Sequence, residues 1–111
     1  MNQQLKIGAS PIFNEIQALK RQILPNERVI LFGSQARGDA REDSDWDLLV
    51  LLDKEKREFI KDFDMYAYPF KEIGLKYNIL VNTKIFTLKD WDRQKPSIFY
   101  KNVERDKIEI E

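Results

Sequence analysis

A glycine–serine pair and two aspartates are the residues of this chain best suited to chemistry. An apolar run ends at Gly33-Ser34, and after ten further residues Asp45-Trp46-Asp47 leads into a second apolar run. Gly33 lets the backbone approach a bulky ligand because it has no Cβ. Ser34 offers a hydroxyl where a helix could begin, with free backbone N–H groups for an anion.

Asp45 and Asp47 are two residues apart at the start of the second run, so their side chains should leave the same face of a strand. Two carboxylates beside an anion cradle favour Mg²⁺ bound to a nucleoside triphosphate. Without metal the carboxylates should repel each other, which raises the pKa of at least one. Trp46 should point to the opposite face and pack.

The full pattern is Leu31-Phe32-Gly33-Ser34-x-Ala36-Arg37-Gly38, then Ser44-Asp45-x-Asp47-Leu48. It resembles the DNA polymerase β-like nucleotidyltransferase superfamily, and its minimal nucleotidyltransferase family in particular. The resemblance implies a small mixed β-sheet of the α/β (α+β) class, with helices packed mainly on one face. It also implies transfer of a nucleoside monophosphate, most simply AMP from ATP, to a hydroxyl acceptor.

That resemblance assigns roles to individual residues. Asp45 and Asp47 would be catalytic and bind Mg²⁺, Gly33 and Ser34 would hold the β- and γ-phosphates of ATP, and Arg37 would assist. For Arg37 the alternative is a surface ion pair with a nearby acid, the candidates being Asp39, Glu42 and Asp43.

The chain departs from the family pattern at the next strand. Active relatives carry a third carboxylate there, but residues 79–86 contain neither Asp nor Glu. Asn82 could still bind a metal through its carbonyl oxygen, although it cannot act as a base. Two alternatives to an active protein-modifying enzyme therefore stay open: a nucleotide-binding module that neutralises a partner by binding it, and an enzyme acting on small molecules.

The acceptor should come from outside the domain. At 111 residues the chain predicts a single domain spanning residues 1–111, whereas larger relatives hold the acceptor with a second domain. A partner protein or a second copy must then present it. In the minimal family the implied partner is a small all-α HEPN-type protein, paired with the nucleotidyltransferase as toxin and antitoxin.

Composition excludes several other function classes. Nineteen acidic and nineteen basic residues balance, so a general nucleic-acid binder is not expected. With no Cys and no His, thiolate catalysis, disulfides and His metal sites are excluded. No apolar run reaches membrane-spanning length and the first residues do not begin a signal peptide, so we predict a cytoplasmic protein.

Periodicity and capping residues predict the elements. In the first half they are a loose segment at 1–10, a helix after Ser10-Pro11, a strand at 28–32 and an exposed loop at 39–44. Next come a helix at 54–63 with Phe59, Ile60 and Phe63 inward, a kink or two abutting helices near Pro69, and a strand at 77–87. The last part predicts a helix after Thr87, a helix after Ser97 with Ile98, Phe99 and Val103 inward, and frayed residues or an edge strand at 107–111.

Overall fold

A computed structural model describes residues 7–111. The elements follow in this order: α1 (Pro11–Ile23), β1 (Arg28–Phe32), α2 (Gly33–Arg37), β2 (Trp46–Leu52), α3 (Phe59–Asp62), a π-helix (Phe63–Ala67), α4 (Tyr68–Lys76), β3 (Val81–Thr87), α5 (Leu88–Arg93), α6 (Ile98–Asp106) and β4 (Ile108–Ile110).

The four strands form one mixed sheet in the order β3-β2-β1-β4. β1 is antiparallel to β2 and to β4, whereas β2 and β3 are parallel. In this register Phe32 lies opposite Asp47, and Asp47 lies opposite Asn82. The end of β1 and the beginnings of β2 and β3 therefore meet at one end of the sheet.

The two faces of the sheet bury cores of different size. The larger core lies under α1 and α4 and takes alternate residues of β2, from Trp46 to Leu52. The smaller core joins Ile30, Leu49 and Leu51 to residues of α5 and α6. The predicted mixed sheet is confirmed, with its main helical layer on one face and two short helices on the other. Trp46 packs in the larger core, as predicted.

Hydroxyl side chains begin three of the helices. Ser10, Thr87 and Ser97 accept hydrogen bonds from the backbone N–H three residues later, at 3.4, 3.0 and 3.0 Å. Each satisfies a donor that would otherwise lack an intrahelical partner. The predicted starts of α1, α5 and α6 are confirmed, and 108–110 is an edge strand, one of the two predicted alternatives.

The prediction for residues 54–63 was wrong in two respects. The helix begins at Phe59, and Phe59, Ile60 and Phe63 are 73, 81 and 44% exposed. The physical reason is Asp62, which turns inward and leaves Ile60 on the opposite side of the helix. Phe59 packs on the Arg57 guanidinium, 4.7 Å from its ring centre, instead of entering the core.

Asp62 is held by the segment that precedes α3. Its carboxylate accepts hydrogen bonds from Lys54 Nζ at 2.7 Å, Arg57 Nε at 2.9 Å and the Glu58 backbone N–H at 2.8 Å. Arg57 Nη1 also donates to the carbonyl of Ile85 in β3, at 2.5 Å. The buried carboxylate of Asp62 therefore holds the 53–58 loop against β3, the strand at the edge of the sheet.

The predicted break near Pro69 is confirmed as abutting helices. Pro69 lies in the first turn of α4, where a missing N–H costs nothing, and the turn before it is a π-helix. In α6 the prediction was wrong for Ile98, which is 76% exposed. Phe99 and Val103 share the inward stripe at a spacing of four, and Ile98 lies off it.

The predicted loose segment at 1–10 falls partly on residues 1–6, which lie outside the described residues. Ile7 is buried in the larger core. Along residues 7–111, no helix has the length and apolar character needed to span a membrane.

Candidate active site

Gly33 brings the backbone against Asp47 at the junction of β1 and α2. Its φ of +75° is a left-handed conformation that side chains disfavour. A Cβ on Gly33 would lie 2.4 Å from Oδ2 of Asp47, closer than any non-bonded contact permits. Glycine is therefore required here for two independent reasons, and the α2 backbone is held next to the carboxylate.

Asn82 links the two aspartates across the sheet. Its Nδ2 donates to Oδ2 of Asp45 at 3.2 Å, and its amide acts to lower the pKa of Asp47. The parallel pairing of β2 with β3 places Asn82 directly beside Asp47. Since the amide nitrogen faces Asp45, the amide must turn over before its oxygen can join the two carboxylates as a ligand. The structure thus gathers Asp45, Asp47 and Asn82 in one place.

The pKa of Asp47 is raised above its usual value. Burial is the main cause, and the neighbouring charge of Asp45 adds to it. The amide of Asn82 and the charges of Lys84 and Arg37 act in the opposite direction and do not cancel it. The expected rise is confirmed for Asp47, although desolvation contributes more than carboxylate repulsion.

Arg37 is already engaged in ion pairs. Its Nε donates to Asp39 at 3.2 Å and its Nη1 to Asp106 at 3.4 Å, so it ties α2 to the end of α6. The alternative of a surface pair with Asp39 is thus present, together with a partner from a distant part of the sequence. Because the charge of Arg37 still acts on Asp47, it lies close enough to influence the site.

Ser34 lies in the first turn of α2, next to Gly33. Its carbonyl accepts the N–H of Gly38 at 3.0 Å and of Asp39 at 3.2 Å, which closes the turn after α2. Within residues 7–111 no hydrogen bond engages its hydroxyl. The side chain therefore keeps a donor for a ligand.

The donor set at this site suits a hard cation such as Mg²⁺. It offers two carboxylates and an amide oxygen, all oxygen ligands. Asp47 is destabilised in its charged form by burial and by Asp45, which a cation would relieve. In the described part of the chain no group of three or more His, Cys, Asp or Glu residues is placed to hold a metal ion, so the set contains no third carboxylate.

A groove of about 450 Å³ opens beside Asp47 on its β3 side. Seven of its lining residues come from three elements, namely Phe63 and Ala67 of the π-helix, Lys71 of α4, and Val81, Asn82, Thr83 and Lys84 of β3. Gly33 and Ser34 lie on the other side of Asp47, directly after the end of β1. Asp47 therefore separates the Gly33–Ser34 turn from the groove.

Comparison with known protein families agrees with this geometry. The family model described as a nucleotidyltransferase domain matches residues 14–109, which include every site residue described above. The chain belongs to the nucleotidyltransferase domain family. The resemblance to the minimal nucleotidyltransferases is confirmed.

Two relatives of this nucleotidyltransferase come from Methanocaldococcus jannaschii, and both carry the name of a predicted protein adenylyltransferase. MJ0141 is 45% identical over 65 residues, which cover 54% of this chain and 59% of the relative. MJ0604 is 32% identical over 77 residues, covering 69% of this chain and 70% of the relative. The match thus spans less than two thirds of MJ0141.

Solved structures share the fold of this nucleotidyltransferase. A predicted nucleotidyltransferase from Sulfolobus solfataricus superposes with a TM-score of 0.60 at 22% identity, over 98% of this chain and 86% of its own. A crystal structure of a toxin–antitoxin with AMP-PNP gives a TM-score of 0.58 at 19% identity, over 89% and 72%. Both comparisons support the mixed-sheet nucleotidyltransferase fold.

The sequence did not reveal every residue around the site. The bridging role of Asn82 needed the register of β2 and β3, although its position in the third strand was a usable signal. Asp106 is far from Arg37 in sequence, and nothing in the local pattern indicated their contact. The groove likewise depends on how the π-helix packs against β3.

Proposed function

We propose that the protein transfers a nucleoside monophosphate from a nucleoside triphosphate, most simply AMP from ATP, to a hydroxyl of a partner protein. The observation that carries this proposal is that Asp45, Asp47 and Asn82 meet at one end of the sheet, with Gly33 in close contact with Asp47. Acidic and amide oxygens beside a close backbone turn suit a metal-bound triphosphate.

The chain's own residues have separate tasks in this proposal. Gly33 and Ser34 hold the β- and γ-phosphates, because the missing Cβ and the unengaged hydroxyl permit close contact. Asp45 and Asp47 hold Mg²⁺, and the amide oxygen of Asn82 joins them once the amide has turned over from Asp45. A bound Mg²⁺ supplies neutralisation of phosphate charge and alignment of the triphosphate.

Arg37, the last residue of α2, assists in the same proposal. Contact with a phosphate requires it to exchange Asp39 for the ligand while Asp106 keeps the guanidinium in place. Both pairs involve a guanidinium that is 41% exposed, so the exchange costs little.

A protein acceptor is supported by two comparisons. The archaeal relatives are named as predicted protein adenylyltransferases, and one structural neighbour is a toxin–antitoxin. We infer that the partner is a small all-α HEPN-type toxin in the cytoplasm, and that AMP transfer neutralises it. Homo-oligomerisation, with a second copy presenting the acceptor, is the alternative arrangement.

The test is transfer of label from α-labelled ATP to the protein that co-purifies with this chain. We expect Mg²⁺-dependent label on the partner, and its loss in Asp47→Asn. Asp53→Asn is the matched control, since Asp53 is an exposed aspartate just beyond the other end of β2. Absence of label with the wild-type protein, Mg²⁺ and the native partner contradicts the proposal.

A second candidate function is neutralisation by binding alone. It is favoured by the missing third carboxylate, since Asn82 cannot deprotonate an attacking hydroxyl. The double variant Asp45→Asn with Asp47→Asn separates the two functions in a growth assay with the partner. Protection that survives the double change indicates occlusion, and protection that is lost indicates catalysis.

A further inference from the structure

The outer edge of β3 carries unpaired backbone groups. The carbonyl of Leu80 accepts from the N–H of Trp46 at 3.0 Å and so points towards β2. In a parallel strand the backbone groups of successive residues point to alternate sides, so those of Val81, Thr83 and Ile85 point away from β2. The Arg57 bond to the Ile85 carbonyl agrees with this assignment.

Only part of this edge is protected. Arg57 covers the Ile85 end of β3, a usual way to block pairing with another chain. At Thr83, none of residues 7–111 pairs with the outward N–H and C=O. The Thr83 hydroxyl is buried and also lacks a partner in this part of the chain. The gap in protection coincides with the groove beside Asp47.

The groove has apolar and basic features on its helical side. Phe63 of the π-helix is 44% exposed and offers an apolar contact there. Lys71 lines the same side, and no ion pair engages it within the described residues. An occupant should therefore bring apolar side chains and a carboxylate.

We propose that an extended acidic segment of the acceptor protein adds a strand to β3 at Thr83. This inference rests on the proposed function and names how the acceptor is recognised. Side chains of an added strand alternate between the two faces of the sheet. One set meets Phe63 and Lys71, and the other set, which carries the hydroxyl, lies on the Asp47 face.

The position of Asp47 within the sheet supports separate binding places for nucleotide and acceptor. The Gly33–Ser34 turn lies on the β1 side of Asp47, and the groove lies on its β3 side. Nucleotide and acceptor thus approach Asp47 from opposite sides without competing. In the transfer, the acceptor oxygen bonds to the α-phosphorus, pyrophosphate leaves, and the hydroxyl proton passes to solvent.

The test uses the peptide acetyl-Thr-Leu-Tyr-Glu-Thr-Leu-Thr-amide, whose alternation puts Leu, Glu and Leu on the helical side. Titration into the full ¹⁵N-labelled chain, followed by amide chemical shifts, should move the signals of Thr83 and its neighbours. Lys71→Glu should weaken binding about fivefold through loss of one surface charge pair. A peptide with Lys in place of Glu should then bind the variant better than the wild type.

Two variants complete the experiment. Thr83→Pro removes the outward N–H without touching the bonds to β2 and should abolish binding. Lys101→Glu, an exposed lysine on α6, is the matched control and should bind normally. If Thr83→Pro does not fold, the charge reversal at Lys71 decides by itself.

Several outcomes would overturn the proposal. They are peptide shifts that avoid β3, equal binding by Lys71→Glu, or Thr83 signals that depend on protein concentration alone, which would identify a second copy as the occupant. Peptide binding without AMP transfer to any protein would leave the docking site standing and remove the proposed function. AMP transfer that Thr83→Pro and Lys71→Glu leave unchanged would remove the docking site and leave the proposed function standing.

Discussion

The amide Nδ2 of Asn82 donates to Oδ2 of Asp45 at 3.2 Å, across the junction of β3 and the start of β2. The same side chain lies opposite Asp47 in the strand register and acts to lower the pKa of Asp47, so one neutral group offsets part of the repulsion between two carboxylates. A third carboxylate at this position would increase that repulsion in the metal-free protein. Asn82 therefore stabilises the metal-free arrangement of the two aspartates.

A carboxylate at position 82 should lower the stability of the metal-free protein and raise its affinity for Mg²⁺. Asn82→Asp should lower the metal-free unfolding free energy by about 1 kcal/mol, because a hydrogen bond to charged acceptors becomes a repulsion at an exposed site. Saturating Mg²⁺ should reverse the loss, as measured by urea unfolding with and without metal. Asn102→Asp, on exposed α6 surface, should show neither effect.

Mg²⁺ with ATP should raise the melting temperature of the wild-type protein. A ligand at a hundredfold excess over its dissociation constant stabilises the native state by about 2.7 kcal/mol. Asp47→Asn should abolish this rise in a thermal-shift measurement.

The same substitution should leave the metal-free protein as stable as before, or more stable. The raised pKa of Asp47 means that its charged form is disfavoured by folding at neutral pH, and Asn carries no charge. A marked loss of metal-free stability in Asp47→Asn would show that Asp47 is a structural residue.

Gly33→Ala should damage both the fold and the site. The positive φ costs about 1–2 kcal/mol for any side chain, and the new Cβ would push Asp47 Oδ2 from its place. We expect a lower melting temperature and loss of the Mg²⁺-ATP shift. Gly8→Ala is the control, since a Cβ at Gly8 meets no atom within 4 Å, and it should retain the shift.

Asp62 should contribute acid-sensitive stability away from the active site. Burial raises its pKa, but the hydrogen bonds from Lys54, the Glu58 backbone and Arg57 outweigh burial, so the pKa lies below its usual value. A depressed pKa in the folded state gives stability that is complete above the unfolded pKa. That stability is lost as the pH falls below about 4, through the folded pKa.

The variant Asp62→Asn tests this assignment. At neutral pH it should lose about 3 kcal/mol of unfolding free energy, because two cations lose a buried partner. Its stability should also fall less steeply between neutral and acid pH, measured by urea unfolding across that range. Asp64→Asn, two residues along and exposed, should match the wild type at every pH. A wild-type acid response in Asp62→Asn would contradict the assignment.

The sequence by itself determined the family, the mixed sheet and the position of the candidate site. Gly33, Ser34, Asp45 and Asp47 could be selected because their chemistry depends on local features: a missing Cβ, a hydroxyl at a helix start and a spacing of two in a strand. Helix starts at Ser10, Thr87 and Ser97 were predictable for the same reason, since a cap acts on its own next turn.

Only the tertiary structure decided which residues meet across the sheet and which apolar side chains stay exposed. The bridge from Asn82 to Asp45 depends on strand register, and the Arg37–Asp106 pair joins residues 69 positions apart. Phe59 and Ile60 are large apolar residues but lie exposed, because Asp62 on the same helix is buried and forms ion pairs with Lys54 and Arg57. Local pattern cannot predict the first two contacts, because their partners come from distant segments, and apolar periodicity alone does not show that Asp62 takes the buried position of its helix.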